Sequence, residues 1–364
     1  MSDAALSVGA RYAGYRIEKL LGRGGMGVVY EASRTDGGAR VALKILHAHL
    51  HANANVVKRF EREAAFVRRL SGDHVVPLVD FGVGEDGSLF MALELVSGVP
   101  LDVKLARDGA LPLEAVVRLS IEIARGLDSA HDKGIVHRDL KPANVMLEDR
   151  PEGPRARVCD FGLGKALGDQ GFATMLTDKN MVFGTPEYMA PEQVKGEEID
   201  VRTDVYSLGC VMYELLTGKP PFVGKTSMAT LTMHLADTAE PPSARARSRK
   251  IPRELDDVVM KALAREPADR FQTVTELIAA LSALSLASTQ PIDPLGMTQA
   301  SDQGETPPGR PVNVSVRPMS SQTSRRPTPT TRGRAAETPR WIGWAVTLAL
   351  AVVTGGLVGW VITR

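Results

Sequence analysis

Three glycines near the N-terminus have a spacing that lets a backbone lie close to phosphate. Gly22, Gly24 and Gly27 form a G-x-G-x-x-G pattern, and glycine permits this approach because it lacks a side chain. More than one class of nucleotide site uses the pattern, so the flanking residues must distinguish them. A dinucleotide site requires a strand before the glycines and a helix after them.

The residues on both sides of these glycines predict two strands. Residues 28–32, VVYEA, are rich in β-branched and aromatic side chains, and residues 15–20 also have the pattern of a strand. A dinucleotide site further needs an acid about 20 residues downstream, where this chain has Lys44 inside the apolar run VALKIL. The pattern favours a hairpin lid and a lysine that both contact phosphate, and it argues against a dinucleotide-dependent oxidoreductase.

Three downstream motifs carry the remaining chemistry: HRDLKPAN at 137–144, DFG at 160–162 and GTPEYMAPE at 184–192. Phosphoryl transfer needs positioned phosphates, metal ions and an oriented hydroxyl, and carboxylate and amide oxygens are the ligands that Mg²⁺ prefers. With the glycine loop and Lys44, the motifs resemble the eukaryotic-type protein kinase family, in particular its bacterial serine/threonine kinases. The resemblance spans roughly residues 15–284.

The resemblance implies transfer of the ATP γ-phosphate to serine or threonine hydroxyls of proteins. Asp139 is then the expected catalytic base, and Lys141 is expected to steady the transferred phosphate. Asn144 and Asp160 are the expected Mg²⁺ ligands, with Mn²⁺ as the alternative metal. Lys44 is expected to hold the α- and β-phosphates.

Lys44 needs an anion to hold it in place. Glu63 occupies the family's usual position, whereas Glu61 lies on a different helical face, so Glu63 is the expected partner. The other nucleotide contacts implied by the resemblance belong to the glycine lid, the adenine-covering strands, the gatekeeper Leu93 and the hinge. These residues are Leu21, Gly22, Gly24, Gly27, Val29, Ala42, Leu93, Glu94 and Val96.

Other motif residues bear on the choice of acceptor amino acid and on the structure around the site. The run DLKPxN around Lys141 accompanies serine/threonine specificity in this family, and Thr185 resembles the threonine that binds the base and Lys141 in that class. Glu192 and Arg270 resemble a buried structural ion pair. Asp204 is expected to anchor the backbone of the catalytic loop. His137, Phe161 and Val67 are expected to pack in the core.

The segment between DFG and APE, residues 163–189, is the expected activation segment. It contains Thr174 and Thr177 as candidate phosphorylation sites. Arg138 precedes the catalytic base and is placed as in family members whose arginine binds a phosphate on this segment. A phosphothreonine would offer oxygens for charge-assisted bonds to Arg138 and help to order the segment.

Net charge, cysteine content and the N-terminal residues limit the partners and the cell compartment expected for this chain. The formal net charge is only +1, which predicts no nucleic-acid partner. Cys159 and Cys210 lie in apolar stretches and are expected to be buried thiols in a reducing compartment. The N-terminus lacks a basic region followed by an apolar run, so no signal peptide is expected.

The expected fold is α+β: a bilobal protein-kinase fold followed by a disordered linker and one transmembrane helix. The expected divisions are an N-terminal tail at 1–14, a small antiparallel β lobe at 15–96, a larger helical lobe at 97–284, a linker at 285–340 and the membrane helix at 341–362. The linker is rich in Pro, Ser, Thr and Arg and too polar to offset its chain entropy.

Residues 341–362 are free of charge and bounded by tryptophans, and about 22 residues suffice to span a bilayer. Arginines precede them, so the positive-inside rule predicts that the chain N-terminal to the span is cytoplasmic. The resemblance to bacterial kinases implies that the membrane is the bacterial inner membrane. A buried core helix is the alternative. Small residues recur every fourth position from Gly343 to Gly359, which suits a homodimer through this helix.

The sequence argues against two further alternatives to a membrane-tethered kinase. A pseudokinase would lack Lys44, Asp139 or Asp160, and all three are present. A membrane receptor would need a sensor beyond the span, where only Thr363 and Arg364 follow.

Overall fold

The computed structural model describes residues 6–25, 27–51, 53–161 and 185–284. The chain divides into two units between Pro291 and Ile292, and all described residues belong to the first. The expected linker and membrane helix lie outside the described residues, as do Thr174 and Thr177. No helix within the described ranges is both long and apolar enough to cross a membrane.

A six-stranded antiparallel sheet forms the N-terminal lobe, in the order β1-β2-β3-β4-β6-β5. Its strands are β1 (Arg11–Tyr12), β2 (Tyr15–Arg23), β3 (Gly27–Arg34), β4 (Arg40–Leu46), β5 (Leu78–Val83) and β6 (Leu89–Glu94). Helix α1 (Ala54–Val67) begins where the Asn53 side chain accepts from the amides of Asn55 and Val56, an N-cap contact that stabilises the first turn. The expected small β lobe with one helix is confirmed.

Alternation along β4 determines where its lysine points. Val41, Leu43 and Ile45 pack with Tyr15 and Tyr30 in one core cluster, so the intervening residues of β4 face the opposite side of the sheet. On that opposite side, Phe60 and Ala64 of α1 pack against Leu46, Leu89 and Met91. The lysine of β4 is therefore held between the sheet and α1.

The expected N-terminal tail at 1–14 is partly structured. Arg11 and Tyr12 pair with β2, and Tyr12 is buried. The Tyr12 hydroxyl donates to Asp86 Oδ1 at 3.0 Å and to the Ser88 carbonyl at 3.2 Å. These partners lie more than 70 residues downstream, so local pattern could not predict where the Tyr12 hydroxyl binds.

The C-terminal lobe is mostly helical around a small antiparallel sheet of β7 (Gly98–Pro100), β8 (Val145–Glu148) and β9 (Arg155–Val158). Its helices are α2 (Leu101–Asp108), α3 (Leu113–His131), α4 (Pro191–Lys195), α5 (Val201–Thr217), α6 (Ser227–Ala236), α7 (Pro242–Arg245), α8 (Arg253–Ala262) and α9 (Val274–Ser282). The expected larger helical lobe is thus confirmed.

Helix α5 lies at the centre of this lobe, as its almost wholly apolar sequence predicts. Every residue from Thr203 to Tyr213 is buried, and the helix ends at Gly218, whose left-handed conformation suits glycine. Apolar residues recur with helical spacing at Ala115, Val116, Leu119, Ile123 and Leu127, and helix α3 buries all of them except the half-buried Ala115. These two helices support the loop that carries the candidate catalytic residues.

Candidate active site

The glycine motif lies in the hairpin between β2 and β3, which confirms the strand–loop–strand prediction. Gly22 pairs opposite Val29, and the Gly24 amide donates to the Gly27 carbonyl at 2.9 Å. Protein packing explains only Gly27, where an added Cβ would lie 2.1 Å from the Ile45 carbonyl oxygen. An added Cβ at Gly22 would meet no atom within 4 Å, so protein packing does not require glycine at that position. Leu21, at the lip of the hairpin, is 44% exposed.

Lys44 of β4 contacts acids from both lobes. Its Nζ lies 3.0 Å from Asp160 Oδ1 and 3.5 Å from Glu63 Oε1. The preference for Glu63 is confirmed by this contact, and Glu61 is exposed. Glu63 sits on the face of α1 that packs against the sheet, which is why the helix can present it to the lysine.

Burial and charge shift the pKa values of this cluster. Burial alone would lower the pKa of Lys44, but the negative charges of Asp160 and Glu63 raise it above its ordinary value. Burial raises the pKa of Glu63 to about 8, although the lysine charge opposes this shift. The pKa of Asp160 is lowered because the charge and hydrogen bond of Lys44 outweigh burial. Lys44 is therefore held mainly by Asp160, and within the described structure Glu63 Oε2 has no hydrogen-bond partner.

The catalytic loop brings Asp139, Lys141 and Asn144 together. Lys141 Nζ lies 2.7 Å from Asp139 Oδ2, and the Asn144 side-chain amide donates to the Asp139 carbonyl at 2.8 Å. Because this amide nitrogen is used internally, the side-chain oxygen of Asn144 is the atom suited to bind a cation. Among the hydrogen bonds of the described residues, none joins the Thr185 hydroxyl to Asp139 or Lys141.

Asp204 of α5 holds the backbone of this loop, as expected. It is fully buried, and its carboxylate accepts from the amides of His137 at 2.8 Å and Arg138 at 2.9 Å. His131 Nε2 lies 2.7 Å from the same carboxylate. Burial raises the pKa of Asp204, but the hydrogen bond and charge of His131 reverse this effect and lower it. His131 lies at the end of α3, six residues before the HRDLKPAN motif, and its local pattern gives no sign of this contact.

The catalytic loop is bonded directly to the segment that carries Asp160. The Cys159 amide donates to the Asn144 carbonyl at 3.0 Å, and His137 Nε2 lies 3.0 Å from the Cys159 carbonyl. The rings of His137 and Phe161 pack at 4.8 Å between centroids, which bears out their core role. Asp160 adopts a left-handed φ of 58°. This conformation costs free energy for a residue with a side chain, and it persists because the surrounding contacts hold it.

The expected gatekeeper and hinge residues lie at the C-terminal end of β6. Leu93 pairs opposite Ala42, and Glu94 opposite Val41, so the residues expected to surround adenine are adjacent in the sheet; Val96 is buried just beyond the strand. Arg157 of β9, which the sequence analysis missed, donates to the Glu94 carboxylate at 2.6 and 3.1 Å. The basic residues that alternate in the strand RARV were the available signal.

The expected Glu192–Arg270 ion pair is present and buried. Arg270 donates from both terminal nitrogens to Glu192, each at 2.8 Å, in the bidentate geometry that strengthens such pairs. Thr203 Oγ1 donates to the same carboxylate at 2.7 Å. Burial opposes ionisation of Glu192, but the hydrogen bonds and charge of Arg270 lower its pKa overall.

The donor set of the cleft fits a magnesium nucleotide. Asn144 and Asp160 supply amide and carboxylate oxygens, and Lys44 supplies a cation beside them. Within the described ranges, no group of three or more His, Cys, Asp or Glu residues is placed to hold a metal by itself. Nucleotide-bound Mg²⁺ typically takes few protein ligands and completes its shell with phosphates and water.

Comparison with known proteins agrees with this geometry. Residues 15–280 match the protein kinase domain family. The chain is 38% identical over 271 residues to the serine/threonine-protein kinase pkn3 of Myxococcus xanthus, covering 74% of this chain and 50% of that protein. It is 39% identical over 286 residues to PknD of Mycobacterium tuberculosis, covering 78% of this chain and 42% of that protein. The chain thus spans half or less of the length of these relatives.

The fold matches solved structures as well. The Mycobacterium tuberculosis PknI kinase domain is 31% identical, with a TM-score of 0.58, and the match covers 76% of this chain and 99% of that one.

Proposed function

We propose, from the premise that this chain belongs to the protein kinase family, that it transfers the γ-phosphate of ATP to serine or threonine hydroxyls of proteins. One relationship carries the proposal: Lys44 of the β lobe reaches Asp160 of the helical lobe at 3.0 Å. Asp160 follows Cys159, whose backbone is bonded to the loop of Asp139 and Asn144. Phosphate-binding and hydroxyl-orienting groups thus share one cleft.

Each residue of the cleft has its own role in the proposed transfer. The carboxylate of Asp139 accepts the proton of the acceptor hydroxyl, or orients that hydroxyl for attack. Lys141, 2.7 Å from this carboxylate, is placed to bind the transferred phosphate as well as the base. Lys44 binds the α- and β-phosphates, and Glu63, 3.5 Å from the lysine, helps to position it.

Asn144 and Asp160 would hold Mg²⁺ through their side-chain oxygens. The metal, when bound, neutralises phosphate charge that would otherwise oppose transfer. Mn²⁺ has the same preference for oxygen ligands, so it is the alternative.

Serine or threonine specificity is supported by the DLKPAN run, residues 139–144, and by the names of the relatives. Protein substrates are therefore the proposed partners, and no nucleic acid is expected at a net charge of +1.

Transfer of ³²P from [γ-³²P]ATP to a generic protein substrate tests this function. Asp139→Asn should reduce transfer by about 100-fold or more, whereas Asp132→Asn, at an exposed aspartate, should leave it within about twofold of the parent. Phosphoamino-acid analysis should yield phosphoserine or phosphothreonine. Phosphotyrosine as the main product, or no transfer by the parent protein, would refute the proposal.

The proposal extends to regulation and location. Autophosphorylation of Thr174 or Thr177 would activate the enzyme through Arg138.

Residues 341–362 would anchor it in the bacterial inner membrane, with the kinase domain in the cytoplasm and a homodimer through the small-residue stripe. The uncharged composition of this segment and the arginines before it support the anchor. Crosslinking of membrane fractions tests the dimer: Gly355→Leu should lower its yield, and an equal yield would reject it.

A further inference from the structure

Gln193 in α4 joins two parts of the candidate active site. It is buried, with 4% of its surface exposed. Its side-chain oxygen accepts from the Ala190 amide at 3.0 Å, and its side-chain nitrogen donates to the Arg138 carbonyl at 2.8 Å. Ala190 follows the end of the activation segment, and Arg138 immediately precedes the catalytic base. One side chain therefore bridges these two segments, which lie 55 positions apart at the Gln193–Arg138 contact.

The Arg138 residue needs support from both sides. It has a φ of 67°, in the left-handed region that costs a residue with a side chain free energy. Its amide donates to Asp204 at 2.9 Å, and its carbonyl accepts from Gln193. Asp204 and Gln193 thus hold the residue before Asp139 at its two polar backbone groups.

Helix capping explains only half of this arrangement. Gln193 is the third residue of α4, where glutamate or glutamine commonly accepts from the N-cap amide. A glutamate would make that bond equally well. Only an amide also donates to the Arg138 carbonyl, because an ionised carboxylate has no hydrogen to donate.

We propose that Gln193 is a positioning residue that links the end of the activation segment to the catalytic loop and so orients Asp139 toward the acceptor hydroxyl. The inference rests on the proposed phosphotransfer function. A loop that shifts by a fraction of an ångström slows the reaction without weakening nucleotide binding. Lys44 and the glycine hairpin lie on other elements, whereas Asn144 shares the catalytic loop with Asp139, so loss of Gln193 should affect phosphate transfer more than ATP binding.

Gln193→Glu in the full chain separates the two roles, because it keeps the cap and removes the bridge. Gln272→Glu is the matched control: Gln272 is exposed, and its side-chain nitrogen donates to the carbonyls of Pro267, Ala268 and Arg270 at 2.8 to 3.2 Å. Gln193→Met, which loses both bonds without adding charge, is the second variant. All are assayed for kcat, for KM of ATP, and for amide hydrogen exchange of residues 136–144.

Both Gln193 variants should lower kcat at least about tenfold, and kcat should change more than KM for ATP. Exchange in residues 136–144 should quicken in both, and Gln272→Glu should match the parent protein. If Gln193→Glu keeps its kcat and exchange while Gln193→Met does not, Gln193 is only a cap and the proposal is overturned. A parallel rise in exchange throughout the lobe would equally overturn it, since that is general destabilisation.

Failure of the proposed function would be recognised separately. A parent protein that transfers no phosphate refutes the phosphotransfer proposal. Hydrogen exchange in residues 136–144 still decides in that case whether Gln193 holds the loop.

Discussion

Lys44 and Asp160, 116 positions apart in the sequence, form a 3.0 Å ion pair across the two lobes. Glu63 stands behind this pair at 3.5 Å from the lysine, with one carboxylate oxygen unpartnered among the described residues. The lysine therefore has two possible anions, and the loosely bound one lies on α1. This relationship makes the role of Glu63 testable against its neighbour on the same helix.

Above a pH of about 8, where Glu63 is ionised, Glu63→Gln should lower kcat/KM for ATP by about 10- to 100-fold, because a neutral amide holds the lysine less firmly than a carboxylate. Glu61→Gln is the control, since Glu61 is exposed two residues away, and it should stay within about twofold of the parent. Steady-state kinetics with varied ATP measures both. Equal losses in the two variants would contradict the assignment.

Asp204→Asn should lower the free energy of unfolding by about 2 to 4 kcal/mol, because the buried carboxylate accepts from the amides of His137 and Arg138. The pKa of Asp204 is lowered in the fold, so its stabilisation is present above the unfolded pKa of about 4 and is lost as the pH falls through the folded pKa. Denaturant unfolding should therefore show a difference between parent and variant that is full at pH 7 and shrinks below pH of about 4. The exposed Asp257→Asn should show neither effect.

Arg270→Met should cost about 3 to 5 kcal/mol of unfolding free energy, because it leaves the buried Glu192 carboxylate unpaired. Arg202→Met is the comparison, since its partner Asp200 is 43% exposed and exposed pairs are worth about 1 kcal/mol or less. Urea unfolding measures both losses. The Glu192→Gln, Arg270→Met double variant should lose less than the sum of its two single variants, and strict additivity would argue against a direct pair.

Thr174→Ala with Thr177→Ala should reduce kcat about tenfold if a phosphothreonine orders the segment through Arg138. The control is Thr232→Ala on the exposed face of α6. Phosphopeptide mapping of the parent protein identifies the modified residue. Unchanged kinetics in the double variant would reject activation by phosphorylation at these sites.

Local spacing was sufficient to predict the glycine hairpin, the buried character of α5 and the helical stripe of α3. Each of these depends on neighbouring residues, whose periodicity reports which side of an element faces the core. The candidate catalytic residues came from the resemblance of the ordered motifs to the protein kinase family, and their residue types agree with the chemistry of phosphate and metal. The choice of Glu63 over Glu61 depended on helical geometry together with the family resemblance, and the structure confirmed it.

Contacts between segments that are distant in the sequence could not be predicted from local spacing. His131, Arg157 and Gln193 are ordinary residues in their local context, and each acquires its role from a partner 55 to 73 positions away. The Tyr12 hydroxyl likewise finds its partners, Asp86 and Ser88, far away in the sequence. Hydrophobic periodicity predicts which face of a helix or strand is buried. The hydrogen-bond partner of a side chain instead depends on how separate elements pack, and that packing exists only in the folded chain.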